Sequence, residues 1–174
     1  MTQIVIGTSP GREPWLMDCL NSLQRSCLIL RDSNYELGKL KWCQENIKNP
    51  FFFFQDSVVF KSTKWIDEAL DKYSSVSLND DPDLYGTYMG VYDPKVLRQM
   101  EVPIPKSKVE AIEFELSWTR KYVEQVGSVE VLFPEFKDAN AQKIEMKHGR
   151  ENLILENDYL IKYKGNWGQK PALD

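Results

Sequence analysis

Apolar residues near the start of this chain fall into short unbroken runs: Ile4-Val5-Ile6, Cys27-Leu28-Ile29-Leu30 and Phe51-Phe52-Phe53-Phe54. Successive side chains of a strand point to opposite sides, so a run of this kind leaves no face for water. The four phenylalanines predict a strand buried on both faces, the habit of interior strands in α/β sheets, and the other two runs read as short apolar strands. Between the runs the spacing becomes helical. Trp15, Leu16, Cys19, Leu20 and Leu23 recur at helical intervals after Pro14, which suits a first helical turn. Glu36 to Asn46 reads as a second helix, with Leu37, Leu40, Trp42 and the following Ile47 as its apolar members. Gly38 inside it costs about 1 kcal/mol against alanine, and such a glycine lets a ligand or a neighbouring strand come close. Val58-Val59-Phe60 prolongs the extended chain after the phenylalanines. Lys64 to Tyr73 is a third helix with Trp65, Ile66, Ala69 and Leu70 inward, and Val76-Ser77-Leu78 is a brief strand. This βαβαβαβ alternation calls for a mostly parallel sheet with helices on its faces.

Beyond residue 79 the pattern loosens. Asp80, Asp81, Asp83 and Asp93 make an acidic stretch that suits a solvated loop as well as a cation site. Gly86 to Tyr92, rich in glycine and aromatics, suits a pocket wall or a sheet edge. Asp93-Pro94 has the form of an N-cap followed by proline, opening a short helix from Lys95 to Met100. After the stiff linker Val102-Pro103-Ile104-Pro105, Ser107-Lys108-Val109-Glu110 forms a capping box. The helix it starts should run to about Gln125, with Gly127 as its C-cap. Its broad apolar stripe (Ala111, Ile112, Leu116, Trp118, Thr119, Tyr122, Val126) includes one carboxylate, Glu115. Val129 to Phe133 is another strand, Pro134 to Lys147 is irregular, and the tail predicts a short extended piece and then a helix from about Asn157.

Composition narrows the classes. The chain has 174 residues, 42% hydrophobic and 12% aromatic, enough for one domain with a sizeable core. A net charge of -4 gives nucleic acid no electrostatic attraction. No apolar run is long enough to span a bilayer, and Met1-Thr2-Gln3-Ile4 lacks the charged lead-in of a signal peptide. Cys19, Cys27 and Cys43 fit no zinc spacing and suit free thiols in a reducing compartment. A cytoplasmic location is the expectation.

The chemistry gathers where strands end. In open α/β sheets ligands bind just outside the carboxyl ends of the strands. Gln55-Asp56-Ser57 follows the phenylalanines. Asp56 is placed to hold a divalent cation, and that cation a diphosphate; Asp and Ser equally suit a plain turn. Gly7 to Pro14 follows the first strand and leads to a helix N-terminus whose N–H groups suit an anion, though neither glycine-rich phosphate-binding fingerprint is present. Arg31-Asp32-Ser33-Asn34-Tyr35 follows the second strand. Glu115, a carboxylate on an inward face, is either paired or functional. His148 is the single histidine, and a lone histidine is more often a structural or surface residue than a metal ligand.

Taken in order, these stretches resemble a compact GT-A-type glycosyltransferase, and more closely the small phage-encoded glycosyltransferases of actinobacterial viruses. The residues that carry the likeness are Val5 to Arg12 with Trp15-Leu16, Tyr35-Glu36-Leu37-Gly38, Phe54-Gln55-Asp56-Ser57, Ser107 to Glu115, His148 to Leu153 and Lys162-Tyr163-Lys164-Gly165. The resemblance implies a GT-A-like three-layer α/β/α fold, a single domain over 1–174. Residues 1–80 would be its nucleotide-binding half, 81–150 its acceptor and catalytic half, and 151–174 a C-terminal segment. It assigns Thr8, Ser9 and Arg12 to the nucleotide or diphosphate, Asp32 to the base or ribose, and Gln55 and Arg150 to the donor site. It makes Asp56 and His148 ligands of Mn²⁺ or Mg²⁺. The family marks the metal site with Asp-x-Asp, and here Gln55 stands in place of the first carboxylate.

The implied reaction moves a sugar from a nucleotide-diphosphate donor to a hydroxyl acceptor on a protein or glycan, a virion protein if the chain is phage-encoded, acting in the host cytoplasm. A metal ion with Arg or Lys would neutralise the leaving diphosphate. An inverting route needs a general base; Glu115 is the first candidate and Glu110, already explained by the capping box, the second. Tyr88, Tyr92 and Trp118 suit sugar stacking or core packing. Two other classes share the pattern: a non-catalytic domain that binds a nucleotide or a partner, and a nucleotidyltransferase.

Overall fold

The fold comes from a computed structural model that describes residues 3–72, 76–77, 89–127, 130–133 and 153–163. Its elements run β1 (Gln3–Thr8), α1 (Glu13–Leu23), β2 (Leu28–Arg31), α2 (Tyr35–Asn46), β3 (Phe51–Gln55), β4 (Val58–Phe60), α3 (Lys64–Lys72), β5 (Val76–Ser77), β6 (Met89–Tyr92), α4 (Pro94–Leu97), α5 (Lys108–Val126), β7 (Glu130–Val131), β8 (Leu153–Glu156) and β9 (Leu160–Tyr163). The main sheet has six strands in the order β2-β1-β3-β6-β5-β7. β1 runs parallel to both β2 and β3, with Val5 opposite Leu28 on one side and Phe53 on the other. β6 alone is reversed, pairing antiparallel with both β3 and β5. The protein is therefore α/β with a mostly parallel sheet, as the alternation of runs and helices predicts.

The four phenylalanines divide between two cores because strand side chains alternate. Phe52 and Phe54 join Ile4, Ile6, Cys19, Trp65 and Met89, under α1 and α3. Phe51 and Phe53 join Leu37, Leu40, Tyr92, Leu97, Trp118 and Tyr122, under α2, α4 and α5. All four are fully buried. At roughly 25 cal/mol per Å² of apolar surface, four buried phenylalanine rings make β3 a large contributor to the core.

Four local expectations are corrected. Met89–Tyr92 is a buried interior strand rather than a pocket wall or edge, with Gly90 opposite Phe53 in the register. Val58–Phe60 does not prolong β3. The chain turns at Asp56-Ser57 and enters a second sheet of order β4-β9-β8. Leu160–Tyr163 is a strand of that sheet, not a helix, paired with β4 so that Val59 faces Ile161. Trp42 is surface-facing, 39% exposed. Among the described residues no helix is long and apolar enough to cross a membrane.

Candidate functional site

β1 and β3 end side by side, and the backbone N–H of Asp56 donates to Gly7 O at 3.0 Å, carrying the ladder one step past the strand. A cleft of about 270 Å³ opens there. Its floor is Gly7, Thr8, Gln55 and Asp56. One wall is Ser9 and Arg12 from the β1–α1 loop with Tyr35, Glu36 and Lys39 from α2. The opposite wall is Lys108, Ala111, Ile112 and Glu115 of α5. Those α5 positions share a face because residues three and four apart on a helix are neighbours. The cleft thus brings together Thr8, Ser9, Arg12, Gln55, Asp56 and Glu115, six of the residues picked out from sequence.

Asp56 is buried and heavily engaged. Thr8 Oγ1 donates to its Oδ2 at 2.6 Å, and Arg12 Nε donates to Oδ2 at 2.7 Å and Oδ1 at 3.0 Å. Arg12 Nη2 completes a two-pronged ion pair with Oδ1, the geometry in which Arg binds a carboxylate most strongly. Beside it, Gln55 bridges two charged groups: its Nε2 donates to Glu36 Oε1 at 2.6 Å, and its Oε1 accepts from Lys162 Nζ at 2.9 Å. An ammonium only donates and a carboxylate only accepts, so these partners dictate which way the amide faces.

Lys162 reaches this point from β9. Its Nζ also donates to Ser57 Oγ at 2.6 Å and to Tyr163 O at 2.7 Å. Burial pulls its pKa down to about 7, while Asp56 and Glu36 hold it up and Arg12 lowers it further. Lys39 is likewise buried, its Nζ 3.3 Å from Asp32 Oδ1 and 3.2 Å from Tyr35 O. Gly7 makes room for it: a Cβ there would stand 2.9 Å from Lys39 Cδ and 2.8 Å from Phe53 Cζ. Tyr35 opens α2 with φ at 57°, a left-handed conformation that strains an aromatic residue and is met at ligand sites.

Other expected residues lie elsewhere. Asp32 is not on the cleft surface; its Oδ1 accepts from Asn34 N at 2.7 Å and from Lys39, so it anchors the lysine. Glu110 serves the start of α5, its Oε2 accepting from Lys106 N at 2.7 Å while its own N donates to the N-cap Ser107 Oγ at 3.2 Å. Gly38 admits no ligand; a Cβ there would fall 2.3 Å from Asn34 Cβ, so it serves the start of α2. Tyr92 and Trp118 pack in the core around Tyr122, with ring centroids 5.2 and 5.3 Å from it. His148, Arg150 and Tyr88 lie outside the described residues.

Lys39, Lys162 and Glu36 were not picked out from sequence for this site. Lys39 had a signal, since it shares a helix face with buried Cys43 four residues on. Lys162 had one only for a strand, where it sits on the same side as Leu160.

The described residues do not fit a divalent cation in this arrangement. Among them no group of three or more His, Cys, Asp or Glu comes together. The one carboxylate at the tip of β3 has Arg12 across both oxygens, and the amide beside it turns its oxygen to Lys162.

No family model matches the chain, and no curated protein does. Among solved structures it is similar to A197 from STIV, at 12% identity and a TM-score of 0.46, over 68% of this chain and 78% of that one. A likeness of that size carries no argument about fold or function.

Proposed function

We propose that the chain is a glycosyltransferase that takes a sugar from a nucleotide-diphosphate donor and passes it to a hydroxyl of a protein or glycan. The observation that carries this reading is the cleft at the ends of β1 and β3, with Arg12 and Lys39 on one wall and Glu115 on the other. Arg12 and Lys39, held by Asp56 and Asp32, supply the positive charge that suits a diphosphate, whose departure must be stabilised as negative charge develops. Thr8 and Ser9 add hydroxyls beside it. Glu115 projects from the other wall, where a carboxylate can take the proton of an attacking hydroxyl in an inverting transfer. The mostly parallel sheet with its ligand-facing loops supports a GT-A-like reading of the fold.

The test is a panel of UDP, GDP and their sugars, read by thermal shift and by donor turnover. A nucleotide at about 100 times its dissociation constant should stabilise the fold by about 2.7 kcal/mol, several degrees in melting temperature. Glu115→Gln should keep that shift and lose about 10²- to 10⁴-fold in turnover. A shift without turnover in the unaltered chain would favour a non-catalytic nucleotide-binding domain. A flat panel would sink the reading altogether.

A further inference from the structure

The tip of β3 presents a hydrogen-bond donor and a guanidinium where a metal-binding site would need bare oxygens. Asp56 Oδ2 accepts from Thr8 Oγ1 at 2.6 Å, and both of its oxygens accept from Arg12. Gln55 has a single side-chain oxygen, and that oxygen faces Lys162 Nζ at 2.9 Å. The group Gln55 turns to Glu36, on the wall of the cleft, is therefore its NH₂. An amide NH₂ attracts an anion and repels a cation. The lysine that sets this orientation is itself clamped by Ser57 Oγ and Tyr163 O, so it cannot swing away without leaving those acceptors behind. To hold a divalent ion, Asp56 would have to shed Arg12, Gln55 would have to turn over, and Lys162 would lose an acceptor in a buried position. Each step exposes a like charge to the incoming ion.

We propose that this cleft binds its diphosphate ligand without a divalent cation, with Arg12 and the NH₂ of Gln55 as the anion's partners and Lys162 as the residue that positions Gln55. The diphosphate as ligand rests on the function proposed above. The exclusion of a metal from the tip of β3 does not, and it is tested on the protein alone.

The experiment follows the backbone and side-chain amide signals of the isotope-labelled chain during a Mn²⁺ titration, and then measures UDP and GDP affinity in Mn²⁺ and in EDTA. Gly7, Thr8, Gln55 and Asp56 should show no selective paramagnetic broadening. Selective broadening at these residues, abolished in Asp56→Asn, would overturn the proposal. Affinity for the bound nucleotide should agree within about twofold between Mn²⁺ and EDTA, and a loss of about tenfold or more in EDTA would also overturn it. Lys162→Met, close in length and apolar, should shift the Gln55 side-chain amide signals and weaken nucleotide binding about tenfold with the melting transition retained. Unchanged Gln55 signals in that variant would refute the positioning role. Should that variant fail to fold, Gln55→Glu provides the check. It places a second carboxylate beside Asp56 and should still show no Mn²⁺ broadening while Lys162 is there to pair with it; broadening in that variant would refute the lysine's part. If neither nucleotide binds under any condition, the function proposed above fails, and the Mn²⁺ titration still decides this inference.

Discussion

Lys162 carries a pH signature whose sign follows from its burial. Its pKa falls from 10.5 to about 7, with desolvation as the largest cause, opposed by Asp56, Glu36 and Cys19 and reinforced by Arg12. Between those values the unfolded chain holds a proton that the folded chain has released, so stability rises with pH. Below about 7 the lysine is charged in both states and the full cost of burying it is felt. Two buried thiols act in the opposite sense. Burial pushes Cys43 up to about 12 and raises Cys19 further, so above the ordinary thiol value of 9.0 the unfolded chain loses those protons first and stability falls. The rise due to Lys162 is therefore cleanest between about pH 7 and 8.5. Urea unfolding across that window should show stability climbing in the unaltered chain and a flatter profile in Lys162→Met. A flat profile in the unaltered chain would mean that the lysine is not desolvated.

Elements differ in how plainly they stood in the sequence, and the differences have physical causes. β3 was legible because four adjacent phenylalanines admit only a strand covered on both sides. α5 was legible at both ends: Ser107 Oγ accepts from Glu110 N at 3.2 Å, and Gly127 ends the helix with φ at 82°. Its apolar stripe was less faithful. Trp118 and Tyr122 are buried, but Ile112 is 51% exposed because that turn lines the cleft rather than the core. β6 was missed because Gly90 weakens a strand pattern, and its partner β3 belongs to a distant segment. β9 was missed because four residues are too few to separate period 2 from period 3.6, and a lysine on the inward side hides the alternation. With β9 misread, the half of the candidate site that depends on Lys162 could not be seen, whereas the half made by Thr8, Arg12 and Asp56 could. The cap of α5 offers a test at this scale. Ser107→Ala should cost about 1 kcal/mol. Because Lys108, Ala111 and Glu115 stand within the first eight residues of α5, the same change should loosen the cleft wall and, on the function proposed above, weaken nucleotide binding. Lost stability with unchanged binding would separate the helix start from the site.

Across the whole molecule the centre of the sheet is the best-defended region. β1 lies between β2 and β3, β3 lies between β1 and β6, and both bury side chains on two faces. β5 and β7 are strands of two residues each. Native-state hydrogen exchange should therefore be slowest at Val5, Ile6, Phe52 and Phe53 and much faster at Val76 and Val131, since local opening is governed by contacts buried around each amide. Equal protection across the six strands would contradict this picture of one stiff centre with thin margins.

The bond from Lys162 to Gln55 spans 107 residues of chain. During synthesis the phenylalanine strand leaves the ribosome long before its supporting lysine has been made. At about 5–20 residues per second, that gap lasts several seconds. Within it, the growing chain can pair β1, β2 and β3 and then cover one face as α4 and α5 emerge, yet Gln55 and Ser57 still have no ammonium beside them. The contacts beside Gln55 and Ser57 are thus completed by β9, which emerges after the other described strands. A nascent chain can pair the centre of its main sheet before it acquires this part of the site, and one interrupted before β9 would lack both the lysine and the second sheet.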